Sequence, residues 1–520
     1  MFSAIADYWR LMRAGVTLAR HDVILPAEYA SRMPLPAKAF GGFLRATGGK
    51  PKGRPGERLA AALESLGPAY IKLGQFLATR PDVFGVETTT DLSRLKDKLP
   101  PFGDEKARTQ LNLEFGEDEA KRLFPEIGPA IAAASIAQVH RMETPDGTRA
   151  VKILRPDVER LILTELRAMK RAARTIETVD RNSRRMEPVA FVETVATSME
   201  KELDLRLEAG GASEFAEVSA KSGGSFHVPE VDWERSGKTV LTTDWVTGTS
   251  LTDTEALAKR EFNRIELANK VTRGFLQAAI GHGVFHADMH EGNMILGDDG
   301  ELYLIDFGIV GRIGMAERRF LAEILDGFIR RDYKRVAEVH FEAGYVPPDR
   351  SVGDFAQALR SVGEPIHGKS AQEVSMGKLL LQLLDFTHTF GMHLRPELVL
   401  LQKTMVQVEG VARTLDPTHN IWDAAKPVVQ EWIRQEFGPA GIAKQSGIAL
   451  RSLAQRAVQL PEILDRVDRV LEAQDAHARQ SKSMRLPGYI RKPVTSLIVL
   501  SGTIIISVVV GLSLYETFFS

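Results

Sequence analysis

Apolar side chains recur at helical spacing in several stretches of the chain. The clearest case is a set of five apolar residues from Leu63 to Leu77, separated by three or four positions. That periodicity predicts a helix with one packed face. A linker rich in Gly, Pro and Lys is predicted immediately before it, over residues 48–56. Further helical stretches are predicted over residues 1–47, 82–130, 157–219, 260–281 and most of 314–480.

Short apolar runs bounded by turn residues indicate strands in the middle of the chain. Residues 132–139 and 149–154 flank a Pro-Asp-Gly turn, which predicts a hairpin. Lys152 projects from the second of these strands, on the face opposite its apolar neighbours. Two further strands are predicted over residues 228–231 and 239–246.

The stretch from His286 to Gly308 carries the densest candidate chemistry. Asp288 precedes Asn293 by five residues, and Asp306 follows Asn293 by thirteen, with a strand, a tight turn and a strand between them. Phosphoryl transfer needs one carboxylate to orient a hydroxyl and oxygen donors to hold magnesium on the nucleotide phosphates. The pattern therefore predicts ATP and Mg²⁺ as cofactors, with Asp288 catalytic and Asn293 and Asp306 binding the metal.

Two other interpretations of this stretch stay open at the level of sequence. The same residues could form a structural hairpin in which the aspartates only cap turns. Alternatively, His282, His286 and His290 recur every four residues and could bind zinc if they lay on one helix. Gly281 and Gly283 disfavour a helix at that point, and no second cluster of ligands is evident.

An Ala-rich run before the predicted hairpin is a second candidate element. A loop of small residues lets backbone amides approach phosphates, and a strand lysine can pair with phosphate oxygens. By itself, such a run is more typical of a helix or of core packing. The candidate nucleotide-binding residues are Ala132, Ala133, Ala134, Ser135, Ile136, Ala137 and Lys152.

Charged residues elsewhere have no distinctive pattern of their own. Asp204 and Glu208 are one helical turn apart and share a face, whereas Glu202 lies elsewhere on the surface. Such acidic clusters are usually solvated. Lys72 and Gln75 lie off the apolar stripe of their helix and are typical of an exposed face. If the strand lysine contacts phosphates, however, one of these acids must hold it in position.

Composition restricts the class of protein. The chain has 520 residues, enough for two to four domains, and is 44% hydrophobic and 26% charged, as in ordinary globular proteins. A net charge of -1 gives no indication of nucleic-acid binding. Cysteine is absent, which excludes disulfides and thiolate metal sites.

The C-terminal region predicts a membrane anchor. Residues 494–514 form an uncharged stretch rich in Ile, Val and Leu, about 31 Å long as a helix. Four basic residues between 482 and 492 precede it, and only Glu516 is charged after it, so the body is expected in the cytosol. Ser507 and Gly511 could bring two such helices together, which leaves a homodimer open.

Matched motifs, in order over residues 60–420, resemble the UbiB family of atypical kinases, which is linked to ubiquinone (coenzyme Q) biosynthesis. In that family a helix with a KxGQ motif folds over the active site, which implies that Lys72 meets Glu202. Lys152 and Glu208 are 56 residues apart, so their pairing is implied by the motif and not by spacing. The implied active-site residues are Lys72, Gln75, the Ala-rich loop 132–137, Lys152, Glu202, Asp204, Glu208, Asp288, Asn293 and Asp306.

The resemblance implies an α+β, bilobal protein-kinase-like fold that is mostly helical, with an N-terminal KxGQ extension and a C-terminal transmembrane helix. The predicted boundaries are 1–125 for the extension, 126–247 and 248–420 for the two lobes, 421–490 for a helical region and 491–520 for the anchor.

The expected function is an ATP- and Mg²⁺-dependent kinase or ATPase that supports ubiquinone biosynthesis. It would act at the inner (cytoplasmic) membrane through a single-pass anchor, in contact with quinone precursor lipids and biosynthetic enzymes. Two alternatives remain. One is a kinase for a small molecule or lipid, and the other is a nucleotide-binding scaffold that organises biosynthetic enzymes without catalysis.

Overall fold

A computed structural model describes the chain over residues 2–23, 53–78, 85–92, 94–95, 100–179, 187–366, 386, 389–392 and 396–438. Residues Met1–Arg434 form one unit, and Gln435–Ser520 form a second. The predicted membrane segment, 494–514, lies outside the described residues. Within the described ranges, no helix has both the length and the apolarity needed to cross a membrane.

The N-terminal part of the first unit is helical. The predicted helix over 63–77 is in fact two helices, because Gly67 adopts a positive φ of 103° and Pro68 opens the second one. The predicted linker also ends early, since Pro55 is accommodated in a first helical turn. These helices are α1 (Phe2–Arg20), α2 (Pro55–Leu66) and α3 (Pro68–Leu77).

Three short helices then lead into an antiparallel sheet in the order β1-β2-β3-β4. Both the predicted hairpin and the strand over 239–246 are confirmed, since β2 and β3 are joined by a tight turn and β3 also pairs with β4. The elements are α4 (Val86–Leu92), α5 (Asp104–Phe115), α6 (Glu117–Leu123), β1 (Ala130–Ala133), β2 (Ala137–Thr144), β3 (Gly147–Leu154) and β4 (Val240–Asp244).

One face of this sheet is covered by α5 and α6. Leu111 and Leu123 of those helices share a buried apolar cluster with Val151 and Ile153 of β3. Successive strand residues point to opposite faces, so Lys152 is directed away from this cluster. The sheet therefore presents Lys152 on the face opposite this cluster, as the alternating pattern predicted.

The strand predicted over 228–231 is wrong. Only isolated bridges form there, between His227 and Tyr303 and between Val231 and Thr243. Pro229 lacks a backbone N–H and cannot donate to a ladder, which accounts for the interruption.

The predicted helical stretch 157–219 is confirmed as three helices. Val158–Val179 forms α7, Pro188–Glu202 forms α8, and Leu205–Lys221 forms α9. Asp204 is the N-cap of α9, because its side chain accepts a hydrogen bond from the backbone N–H of Arg206. Helices α7 and α8 occupy the sequence between Lys152 and the first turn of α9.

The remaining elements form a second, mostly helical part. Strands β5, β7 and β8 form one small sheet, and β6 pairs with β9. The predicted helix over 260–281 begins four residues late, because the side chain of Asn263 caps it, and it ends in a π-helical turn, Gln277–His282. The strands are β5 (Gly248–Ser250), β6 (Val284–His286), β7 (Met294–Gly297), β8 (Leu302–Leu304) and β9 (Val310–Arg312). The helices are α10 (Thr254–Ala258), α11 (Arg264–Leu276), α12 (Met315–Arg330), α13 (Tyr333–Glu342), α14 (Val352–Gly363), α15 (Pro396–Leu415) and α16 (Ile421–Phe437).

Candidate functional site

Lys152 of β3 lies at the centre of the candidate site. Its Nζ is 2.7 Å and 2.9 Å from the two carboxylate oxygens of Glu208, in the first turn of α9. The same Nζ is 3.1 Å from Oδ2 of Asp306, which follows β8. Three predicted site residues from distant parts of the sequence therefore converge on one another.

Burial and charge set the ionisation of these three side chains. Burial would lower the pKa of Lys152, but Asp306 and Glu208 outweigh it and raise that pKa above its usual range. Burial raises the pKa of Glu208 to about 7, against the opposing effect of Lys152. Lys152 also holds the pKa of the Asp306 carboxyl below its usual range. At neutral pH the lysine is therefore charged, and Asp306 is ionised.

The backbone around Asp306 is fixed in an uncommon conformation. Asp306 has a φ of 63°, in the left-handed region that non-glycine residues rarely adopt. Its Oδ1 accepts a hydrogen bond of 3.2 Å from the N–H of Gly308, and its carbonyl accepts one of 2.8 Å from Nε2 of His286. Phe307 is buried against His286 and Phe215, with ring centroids 5.0 Å and 5.5 Å away. These contacts hold the Asp306 carboxylate toward Lys152.

His286 has a structural task that its sequence position did not reveal. It is fully buried, and burial lowers its pKa. The neutral ring donates from Nε2 to the Asp306 carbonyl, while Nδ1 accepts a hydrogen bond of 3.2 Å from the N–H of Asp288. His286 therefore connects the two loops that carry the candidate catalytic and metal-binding aspartates.

Asn293 is placed beside Asp306 by the hairpin of β7 and β8. Its carbonyl accepts a hydrogen bond of 3.0 Å from the N–H of Ile305, so the two residues lie at adjacent strand ends. Its Nδ2 donates to the carbonyl of Asp288 at 3.0 Å, which leaves Oδ1 as the acceptor. An amide oxygen and a carboxylate are ligands that Mg²⁺ prefers, with phosphate oxygens and water completing the shell. The donor set fits magnesium.

Asp288 is held by two residues that sequence reasoning missed. Lys403 Nζ and Gln407 Nε2, one turn apart on α15, lie 3.0 Å and 2.9 Å from Oδ1 of Asp288. Burial alone would raise the pKa of Asp288, but Lys403 and Gln407 outweigh it, and the pKa is lowered. The only signal in the sequence was a Lys and a Gln four positions apart in a largely apolar helix, which is weak.

The KxGQ helix, α3, also reaches this region. Lys72 Nζ lies 2.8 Å from Oε2 of Glu202, the last residue of α8, as the resemblance implied. The charge of Lys72 also contributes to the lowered pKa of Asp306. Gln75 is half-buried on the same helix. Asp204, by contrast, pairs with Arg206 at 2.6 Å and not with a site lysine.

The Ala-rich segment is shorter as a loop than predicted. Ala132 and Ala133 belong to β1 and Ala137 begins β2, so the connecting loop is Ala134–Ser135–Ile136. The N–H of Ala134 donates to the carbonyl of Ala137 at 2.7 Å, which closes a tight turn.

Arg155, immediately after β3, supports this loop. Its Nε and Nη2 donate to the carbonyl of Ala134 at 3.0 Å and 2.8 Å, and Nη2 also donates to the carbonyl of Pro100 at 2.9 Å. The Ala-rich loop and the segment at Pro100 are thereby both held to the end of β3, the strand that carries Lys152.

The zinc interpretation is wrong. Among the described residues, which include His282, His286 and His290, no group of three His, Cys, Asp or Glu side chains could hold a metal ion. His286 is engaged on both ring nitrogens, and Nδ1 of His290 accepts a hydrogen bond of 3.0 Å from the N–H of Gly292. A purely structural hairpin also fails to account for Asp306, whose Oδ2 faces the Lys152 ammonium.

Known proteins resemble this chain over most of its length. Residues 94–340 match the family described as the ABC1 atypical kinase-like domain, and residues 359–420 match the UbiB helical domain. A protein from Marinobacter nauticus named "Probable protein kinase UbiB" is 36% identical over 88% of this chain and 84% of its own length. One of the same name from Aeromonas hydrophila is 35% identical over 88% of this chain and 85% of its own.

A solved structure supports the fold alone. The complex of Rv3197 with erythromycin from Mycobacterium tuberculosis aligns with a TM-score of 0.51 and 23% identity, over 75% of this chain and 97% of that one. With the match to the ABC1 domain, this confirms the predicted kinase-like fold, mostly helical with a small sheet.

Proposed function

This chain belongs to the UbiB family of atypical kinases, which implies a role in ubiquinone biosynthesis, and we propose that it is an ATP- and Mg²⁺-dependent kinase or ATPase. The observation that carries the proposal is the contact of Lys152 with both Glu208 and Asp306. A lysine on a strand, held by a helix acid and close to a metal-binding aspartate, is the arrangement that phosphoryl transfer requires.

Each residue has a role in this proposal. Glu208 holds Lys152, whose charge is available for phosphate oxygens. Asn293 and Asp306 would hold magnesium, which would neutralise the phosphate charge. Asp288 orients the attacking hydroxyl or water. The Ala-rich loop would lie beside the phosphates and supply backbone amides. Positioning and charge neutralisation account for most of the catalysis in such a site.

The cellular setting is part of the proposal. The uncharged stretch 494–514 would anchor the chain in the inner membrane, with the body in the cytosol. Ubiquinone precursors are apolar lipids, so an anchored enzyme would meet them, and the enzymes that convert them, at the bilayer surface. The acceptor of the phosphoryl group would be one of these lipids, a protein or water.

One observation favours a second candidate function. The pair of Lys72 and Glu202 joins α3 to α8, and the charge of Lys72 contributes to the lowered pKa of Asp306. A helix held so near the site restricts the room for an acceptor. A nucleotide-binding scaffold, in which ATP changes the conformation without transfer to a substrate, is therefore the alternative.

The direct test is Mg²⁺-dependent ATP turnover by the full chain and by Asp306→Asn. Loss of the carboxylate should abolish turnover, because the amide is a weaker ligand and no longer balances Lys152. Asp118→Asn, an exposed residue of α6, is the matched control and should be unaffected. Unchanged turnover in Asp306→Asn would remove the metal assignment. An Asp288→Asn variant that binds nucleotide, lacks turnover and still restores ubiquinone in a deletion strain would favour the scaffold.

A further inference from the structure

One helix from the C-terminal part of the fold lies along the loop that carries Asp288. Four side chains of α15 contact that loop. Lys403 and Gln407 donate to Asp288 Oδ1, and Thr404 Oγ1 donates to the carbonyl of Ala287 at 3.2 Å. Further along, Thr414 Oγ1 donates to Oε1 of Glu291 at 3.2 Å. These four residues lie within 359–420, the range that matches the UbiB helical domain.

The two carboxylate oxygens of Asp288 have different hydrogen-bond partners. Oδ1 accepts from both Lys403 and Gln407, whereas the nearest ring nitrogen to Oδ2, Nε2 of His290, is 3.5 Å away. A carboxylate with two donors on one oxygen cannot rotate freely. Oδ2 is thereby the oxygen that retains its capacity to accept a hydrogen bond from a substrate.

A role in folding does not account for this arrangement. The side chains of Lys403 and Asp288 are 37% and 33% exposed, and ion pairs with that exposure contribute little to folding. Gln407 also keeps its Oε1 buried without a hydrogen-bond partner, an unfavourable arrangement for a residue that served stability alone. Both donors instead converge on the residue that the proposed function makes catalytic.

We infer that the helical domain completes the active site, with Lys403 and Gln407 as positioning residues that present Oδ2 of Asp288 to the attacking hydroxyl or water. This inference rests on the proposed function. It assigns to α15 a part in the chemical step and not in nucleotide binding, because its side chains contact Ala287, Asp288 and Glu291. The residues proposed to bind the nucleotide are Lys152, Asn293 and Asp306.

The test separates kcat from nucleotide affinity in the full-length protein. Lys403→Met removes the charge but keeps the length of the side chain. We expect kcat for ATP turnover to fall about 100-fold, the usual effect of misplacing an acid–base group. The affinity for Mg²⁺-ATP should change by less than about threefold, which corresponds to about 0.65 kcal/mol. Lys403→Arg should restore most of kcat. Lys426→Met, at an exposed position of α16, is the matched control.

Gln407→Leu provides an independent variant if Lys403→Met does not fold. It removes one donor and should lower kcat about tenfold, with unchanged nucleotide affinity. Wild-type kcat in both variants, or a parallel loss of kcat and nucleotide affinity, would overturn the inference. If Asp306→Asn is inactive while Lys403→Met and Gln407→Leu are both fully active, the inference fails and the proposed function stands. If Asp306→Asn is fully active, the proposed function fails, and the inference fails with it.

Discussion

The ammonium of Lys72 lies 2.8 Å from Oε2 of Glu202. The two side chains are only 16% and 19% exposed, so solvent screens their attraction less than that of a surface pair. A second contact holds the same helix, because the hydroxyl of Tyr70 donates to Oε2 of the buried Glu165 at 3.1 Å. Helix α3 is therefore fixed against α8 and α7 by side chains on two of its faces.

Lys72→Met should loosen α3. Loss of a half-buried ion pair costs about 1 kcal/mol, which corresponds to roughly fivefold faster exchange where local opening controls it. Hydrogen exchange of the α3 amides, residues 68–77, measures this effect. Lys121→Met is the matched control, because Lys121 pairs with Glu117 at 2.7 Å but both side chains are exposed. Equal exchange rates in wild type and Lys72→Met would show that the pair does not hold the helix.

Lys152→Met should weaken binding of Mg²⁺-ATP more than about tenfold, the effect of one lost charge-assisted contact. It also leaves Glu208 without the ammonium that lowers its pKa, so that pKa rises further and the side chain becomes protonated at neutral pH. Titration calorimetry measures the affinity. Lys259→Met, at an exposed position, should bind as the wild type does. Equal affinity in Lys152→Met would place the nucleotide elsewhere.

Arg155→Met should disturb the Ala-rich loop without touching the nucleotide. Three donated hydrogen bonds to the carbonyls of Ala134 and Pro100 are lost, and the loop gains freedom that nucleotide binding must then remove. We expect affinity for Mg²⁺-ATP to fall about fivefold, equivalent to roughly 1 kcal/mol. Arg160→Met changes an arginine whose side chain is 80% exposed and should have no effect. An unchanged affinity in Arg155→Met would mean that the loop does not order around phosphates.

Stability should depend on pH through His340. Burial lowers its pKa to about 4, and its ring packs against Phe355 with centroids 5.3 Å apart. In the unfolded state His340 has a pKa of about 6.5, so it binds a proton at a pH where the folded state leaves it neutral. The free energy of unfolding therefore falls as pH drops from about 6.5 toward 4. Between pH 7 and pH 5 we expect a loss of about 2 kcal/mol. His340→Phe should lack this component in denaturant unfolding at both pH values, and an identical pH dependence would contradict the assignment.

Much of the site was predictable because its motifs are local. Alternation along β3 placed Lys152 on the face away from Val151 and Ile153, and the structure confirms it. The five- and thirteen-residue spacings around Asn293 correspond to a loop and a hairpin whose geometry follows from the turn. By contrast, only the motif, and no spacing, indicated that Glu208 would meet Lys152.

What could not be predicted depends on contacts distant in sequence or on single backbone angles. Lys403 meets Asp288 across 115 residues, and no local pattern encodes that approach. The helix break at Gly67 was not predicted, because the spacing of apolar residues continues through it unchanged. Residues 228–231 have strand-like side chains, but a single missing N–H at Pro229 prevents the ladder.

The position of α15 has a consequence for the order in which the protein is made. A ribosome completes the loop of Asp288 long before it reaches Lys403, and segments near the N-terminus fold first. Until translation has passed residue 415, the carboxylate of Asp288 lacks both of its donors from α15. Nascent or prematurely terminated chains that stop before α15 would therefore carry the candidate nucleotide-binding motifs and yet leave that aspartate unaligned, so that the arrangement around Asp288 arises only after α15 has been made.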